Sequence, residues 1–229
     1  AVRNASIVFF QNTANMHFFD DKHISLRAKK LLPGSGVSLK RFEKLDYPAA
    51  PPTRFVYISR ILKEKGIYEY IDAARIVREK YPDTVFHVVG PFTDEYRDLL
   101  ETAQKDGIIK VHGKQYDIIP FLKDSHCTIF PSFYGEGMAN ILLESAASGR
   151  PIITTDVPGC GEAVEDGKTG FVVKAQDAAD LASKIETFMK MPDAERMAMG
   201  DEGRRKMERE FDRQIVIDAY VSEINKILQ

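Results

Sequence analysis

Six short runs rich in β-branched and aromatic residues punctuate the chain: RFVYISR (54–60), TVFHVVG (84–90), IIKVHG (108–113), CTIFPS (127–132), PIITTD (151–156) and GFVVK (170–174). Helix-period segments separate most of them, over 64–80, 94–105, 116–123, 140–148 and 161–165, with further helices expected over 178–190, 193–210 and 212–228. This alternation is the strongest constraint on the fold. Strands joined through helices close as right-handed βαβ crossovers, so the chain is expected to be an α/β protein with a parallel sheet covered by helices on both faces. Ligands of such sheets bind beyond the carboxyl ends of the strands, which directs attention to the residues following each run.

Upstream, SIVFF (6–10) reads as a short buried strand and QNTANMHFFDDKH (11–23) as a loop or helix. LLPGSGVSLKRF (31–42) reads as strand then turn, and the proline-rich EKLDYPAAPPT (43–53) as an exposed linker. The expected division is therefore residues 1–30 and residues 31–229. With 229 residues, 44% of them hydrophobic, the chain is long enough for a sizeable core, and a net charge of -2 gives no electrostatic footprint for nucleic acid. Cys127 and Cys160 lack CxxC or other metal spacing, a pattern that suits a reducing cytoplasm. No apolar run approaches the roughly 20 residues that span a bilayer and no signal peptide opens the chain, so membrane contact is expected to be peripheral or made by a segment outside it.

Two strand ends carry chemistry. After the first run of the alternating region, SRILKEKG sets Arg60 at the strand end and Lys65 near the start of the next helix. The pair suits a diphosphate, the guanidinium as a planar fork and the ammonium as a point charge. The competing reading is a solvated basic cluster, because Lys63 and Glu64 lie there too. After CTIFPS comes FYGEGMAN, in which Gly135 and Gly137 permit close backbone approach before a helix that Gly149 and Pro151 would stop. The N–H groups of residues 137–140 would face the same mouth as an anion or hydroxyl site. Glu136 lies in that loop and Glu144 about one turn into the helix, its side chain leaning back toward the N-terminus. Such an ionised acid needs either solvent or a partner. Acids that accept hydroxyl hydrogen bonds, beside cations and free amides, suit a sugar joined to a ribose through a diphosphate.

Other patterns fail. GEAVEDGKT (161–169) spaces its glycines one residue too widely for a phosphate-binding loop, and GCGEAV (159–164) lacks the third glycine of a dinucleotide fingerprint. No Asp-x-Asp clamp is present, so no metal site is expected and Arg60 and Lys65 would supply the positive charge. His87 and His112 read as core histidines within strands; Phe9, Phe10, Phe18 and Phe19 read as packing; DEGRRKMERE (201–210) reads as a solvated helix face.

These residues resemble a known pattern. SRILKEKGIYEYIDAARIV, VFHVVG, IFPSFYGEGMANILLESAASGRPIITTDVPG and DGKTGFVV, in that order, look like the C-terminal, Rossmann-like donor-binding domain of GT-B retaining glycosyltransferases of family 4. The resemblance runs from about Leu31 to the C-terminus. It implies that Arg60 and Lys65 bind the donor diphosphate, that Glu136 faces the donor sugar and that Glu144 binds the ribose hydroxyls. With Arg60, Lys65 and Glu136 as the catalytic set, it further implies that Gly137, Met138 and Ala139 offer backbone N–H groups to sugar or phosphate, and that the base lies near Lys114 to Tyr116. The donor implied is a UDP-sugar, with no cofactor and no metal.

TTDVPGCGEAV is closest to N-acetylhexosaminyltransferases that extend undecaprenyl-diphosphate-linked sugars in bacterial surface and capsular polysaccharide biosynthesis. The partner implied is a glycan or lipid-linked acceptor, bound by an N-terminal domain of which residues 1–30 are a remnant, in a cytoplasmic enzyme at the inner face of the membrane. The chain would then be a piece of a longer enzyme, with half the active site and no transfer activity alone. A GT-B-like UDP-sugar epimerase or hydrolase, and a non-catalytic sugar-nucleotide-binding module, are the alternatives. The first needs acid/base carboxylates and histidines in the cleft; the second needs only the binding set.

Overall fold

The computed structural model describes residues 2–228. The six runs become β3 (Arg54–Ile58), β4 (Val85–Val89), β5 (Lys110–Val111), β6 (Cys127–Phe130), β7 (Ile152–Thr155) and β8 (Gly170–Val173), following β1 (Val8–Phe10) and β2 (Lys29–Leu31). Helices α1 (Thr13–Asp21), α2 (Ile67–Lys80), α3 (Arg97–Lys105), α4 (Ile119–Asp124), α5 (Asn140–Ala147), α6 (Ala178–Lys190), α7 (Asp193–Lys206) and α8 (Arg213–Leu228) complete the chain. The main sheet is six-stranded and parallel in the order β5-β4-β3-β6-β7-β8, while β1 and β2 form a separate parallel pair. The expected α/β architecture is therefore present.

That order decides where a ligand can enter. From β3 the chain winds outward to β4 and β5, then returns to place β6 on the other side of β3. Loops leaving β3 and β6 consequently diverge, opening a crevice at their carboxyl ends. Beneath it the sheet is dry on both faces, every residue of β6 and β7 being buried. Phe55 stacks on Phe86 at 5.2 Å and meets Phe188 of α6 at 5.8 Å, and Tyr57 packs against Tyr70 of α2 at 5.3 Å. Ile67, Tyr70, Ile71, Ala74 and Val77 bury the inner stripe of α2, each large side chain contributing about 1.5–3 kcal/mol.

Several boundaries differ from expectation. The helix expected from Glu64 begins at Ile67, because Gly66 adopts a left-handed φ of 76° and a Cβ there would overlap the Pro131 carbonyl. Lys65 thus sits on a separate 3-10 turn, Lys63–Lys65. The helix expected over 116–123 is α4, with a proline in its first turn, and the one over 161–165 is a 3-10 turn, Gly161–Ala163. The helix expected to run to Glu210 stops at Lys206 and continues as a π-helical turn, Met207–Phe211. The strand expected in 31–42 ends at Leu31. Beyond it Val37 donates its N–H to Phe211 O at 2.8 Å and accepts from Arg213 N–H at 3.0 Å.

The proline-rich segment is no exposed linker. Arg150 is fully buried and its guanidinium donates to Leu122 O at 2.7 Å and Asp46 O at 2.6 Å, while Tyr47 donates to His126 O at 3.1 Å. A buried guanidinium demands acceptors for its fork of donors, and the carbonyls of this strap supply them. Burial lowers the Arg150 pKa to about 10. The run 201–210 likewise turns part of its charge inward: Arg204 donates to Phe42 O and Ala147 O, both at 2.8 Å, and the buried Lys206 pairs with Glu210 at 2.7 Å.

Candidate functional site

A cleft of about 290 Å³ opens where the loops after β3 and β6 diverge, lined among others by Arg60, Lys65, Glu136, Met138, Ala139 and Asn140. The two loops are tied together through Glu64, whose carbonyl accepts from Ser132 Oγ at 3.0 Å and from Phe133 N–H at 3.1 Å. Lys65, held on its 3-10 turn, forms an ion pair with Glu136. Arg60 is exposed at the mouth. The sheet thus brings together one cation from the β3 loop, a second paired to the acid of the β6 loop, and the start of α5.

The α5 N-terminus has no side-chain cap. Its first amides, together with those of the preceding loop that find no acceptor, therefore carry unspent donor capacity and a partial positive charge. Three loop amides were expected to be free, and one is not: Ala139 N–H donates to Gly159 O at 2.8 Å. Gly159 has a φ of 82°, and a Cβ there would run into the Glu136 backbone, so the turn that supplies this carbonyl depends on glycine. Among the described residues Gly137 and Met138 N–H find no acceptor.

Glu144 stands one turn along α5, on the face it shares with the cleft-lining Asn140 and Ile141. It is half-buried, and burial raises its pKa while Arg41 and Arg213 oppose the rise. Arg41 and Arg213 act on Glu144 only through their charge, without a hydrogen bond among the described residues, so the carboxylate keeps acceptor capacity to spare. Lys114 and Tyr116 lie apart from this constellation. They follow β5, both exposed, with Lys114 Nζ 4.8 Å from the centre of the Tyr116 ring.

Sequence reasoning missed Asn12. It caps α1 by accepting Asn15 N–H at 2.7 Å, and its Nδ2 reaches across the fold to Glu136 O at 2.8 Å and Gly137 O at 2.9 Å. An Asn before a helix is a readable cap signal, but nothing local signals a partner 124 residues away. His87, His112 and His126 gather instead near β4, β5 and β6, with His87 Nδ1 and His112 Nε2 2.9 Å apart, and none of them lines the cleft. Among the described residues, no group of three or more His, Cys, Asp or Glu is placed to hold a metal ion.

The arrangement is equipped to bind an anion flanked by hydroxyl-bearing groups. The family model described as glycosyl transferases group 1 matches residues 43–206. The Staphylococcus aureus capsular polysaccharide biosynthesis glycosyltransferase CapM is 31% identical over 177 residues, 76% of this chain and 46% of that protein. The Campylobacter jejuni N,N'-diacetylbacillosaminyl-diphospho-undecaprenol alpha-1,3-N-acetylgalactosaminyltransferase is 25% identical over 194 residues, 79% of this chain and 50% of its own length. The chain therefore spans about half the length of the curated relatives it matches. Among solved structures, Anabaena Alr3699/HepE in complex with UDP and glucose superposes with a TM-score of 0.81 at 19% identity, over 99% of this chain and 64% of that one. At that identity the likeness speaks for the fold.

Proposed function

This chain belongs to the group 1 family of glycosyl transferases, and from that premise we propose that it is the donor-binding part of a retaining, family 4 enzyme that transfers a sugar from a UDP-sugar to a glycan or lipid-linked acceptor. The observation that carries the reading is the meeting of Arg60, Lys65, Glu136 and the uncapped α5 N-terminus in one cleft at the switch point of the sheet. Arg60, Lys65 and the amides of Gly137 and Met138 take the diphosphate, with Glu136 toward the donor sugar. Glu144, with its unspent acceptor capacity, takes the ribose hydroxyls, and the exposed Lys114 to Tyr116 loop the base. The chemistry is departure of the nucleoside diphosphate as its charge grows, met by fixed cations and amides that need no metal, with attack by the acceptor hydroxyl on the face the leaving group vacates.

Glu136 already neutralises Lys65 in the free protein. An arriving diphosphate competes for that ammonium, and its departure would return Lys65 to Glu136. The acceptor belongs to a domain preceding residue 31. Two features support this: the detached β1–β2 pair, and an α8 face whose Ile217, Val221, Ile224 and Leu228 are exposed at helical spacing. An N-acetylhexosamine donor, an undecaprenyl-diphosphate-linked acceptor and a place at the cytoplasmic face of the membrane complete the proposal. Among the described residues no helix is long and apolar enough to cross a membrane.

Calorimetric titration of the chain with UDP tests the reading. Arg60→Ala and Lys65→Ala should each weaken binding about 10- to 100-fold, the value of a charge-assisted hydrogen bond. No preference for UDP over buffer anions, or near wild-type affinity in both variants, would refute it. The chain alone should consume no UDP-sugar.

A further inference from the structure

Asn12 does more than cap a helix. It is 2% exposed, and its orientation is set because Oδ1 is committed to Asn15 N–H, leaving the two hydrogens of Nδ2 for the carbonyls of Glu136 and Gly137. A trans peptide unit is planar, with its C=O and N–H pointing in opposite directions. The Glu136 carbonyl shares its plane with Gly137 N–H, and the Gly137 carbonyl with Met138 N–H. Drawing both carbonyls onto Asn12 therefore turns both N–H groups away from it, and neither N–H has an acceptor among the described residues. The loop lies between two cavities: Asn12 lines a pocket of about 340 Å³ with Gln11 and Thr13, Glu136 and Ala139 line the cleft, and Met138 lines both.

We propose that Asn12 is a positioning residue that, by gripping two consecutive carbonyls, aims the Gly137 and Met138 amides as a two-donor cradle for the anionic oxygens of a nucleoside diphosphate. The proposal rests on the donor-binding reading above. It also gives the 1–30 segment a part in a site whose other groups all lie beyond residue 31: the cleft is built from one unit and tuned from the other.

The discriminating variant is Asn12→Ser. Serine caps a helix about as well as asparagine but is too short to reach the loop carbonyls, so α1 is kept while the grip is lost. In amide-resolved NMR titrations of the whole chain with UDP, the Gly137 and Met138 signals of the wild type should shift. Asn12→Ser should lose those two shifts and bind UDP about tenfold more weakly, with helix content by circular dichroism unchanged. Arg60→Ala should weaken UDP binding while leaving both amides at their wild-type positions in the free protein. Loss of affinity in Arg60→Ala but not in Asn12→Ser overturns the positioning role and leaves the donor reading standing. Should Asn12→Ser fail to fold, the wild type decides: Gly137 and Met138 signals unmoved at saturating UDP overturn the role, and moved signals support it. A wild-type chain that does not bind UDP overturns both.

Discussion

Acidification from pH 7 to pH 5 should destabilise this chain through two buried histidines. His87 on β4 and His126 just before β6 are 8% and 0% exposed. His126 Nδ1 accepts the Arg54 backbone N–H at 3.1 Å, a role open only to an unprotonated nitrogen, and His87 Nδ1 lies 2.9 Å from His112 Nε2. Burial, then His112 beside His87 and Arg54 beside His126, lower both pKa values from 6.5 to about 4; the nearby Asp124 and Asp193 only partly offset this. When a folded-state pKa is depressed for a base, the unfolded chain binds more protons between the two values. Stability is then full above pH 6.5 and falls as the pH drops toward 4. At pH 5 linkage bounds the loss at about 2 kcal/mol per histidine, and solvent at the edge of the His87 site reduces its share to about 1. A total near 3 kcal/mol is a quarter or so of the roughly 11 kcal/mol typical of a chain this long. Urea titrations at the two pH values measure it directly. His126→Asn, which keeps an acceptor for Arg54 without the titration, should remove about half or more of the loss. The reasoning is refuted by a loss below about 0.5 kcal/mol, or by an identical loss in the variant.

Two further outcomes follow from buried charge. Arg150→Met should cost about 3–5 kcal/mol in urea unfolding, because the Leu122 carbonyl is left with only the longer hydrogen bond from Ser125 N–H and the strap over 43–53 loses its anchor; a cost under about 1 kcal/mol would show that the strap holds itself. Glu144→Gln should raise the melting temperature at pH 7 yet weaken UDP binding. Burial raises the Glu144 pKa, so its ionisation destabilises the folded state progressively as pH climbs past the ordinary carboxylate range. At pH 4 the stabilisation should shrink, and a gain over the wild type no larger at pH 7 than at pH 4 would contradict the burial argument.

The strand and helix order was legible because each run obeys a local rule: RFVYI and VFHVV are short, β-branched and aromatic, and IYEYIDAARIVREK repeats apolar residues at helical spacing. Helix starts set by tertiary contact were not. Glu64 is a sound first-turn residue, but the close approach of Gly66 to Pro131 delays α2 to Ile67 and leaves Lys65 on a turn facing Glu136. Proline content made 43–53 look like a linker, and only the position of Arg150 beneath it explains why it is docked.

The candidate site divides along the same line. Arg60, Lys65, Glu136 and Glu144 were named from residue type and spacing, since cations after one strand and acids around a glycine-led helix are patterns written in consecutive residues. That Ala139 spends its amide on Gly159, that Lys65 and Glu136 pair, and that Asn12 grips the loop from the far end of the chain are contacts between segments 20, 71 and 124 residues apart. Local propensity carries no term for such pairs. Sequence alone determined which chemical groups follow which strand; the crossing of the chain from β5 back to β6 decided which of them share a mouth, and the hydrogen-bond demands of buried amides decided which remain free to bind.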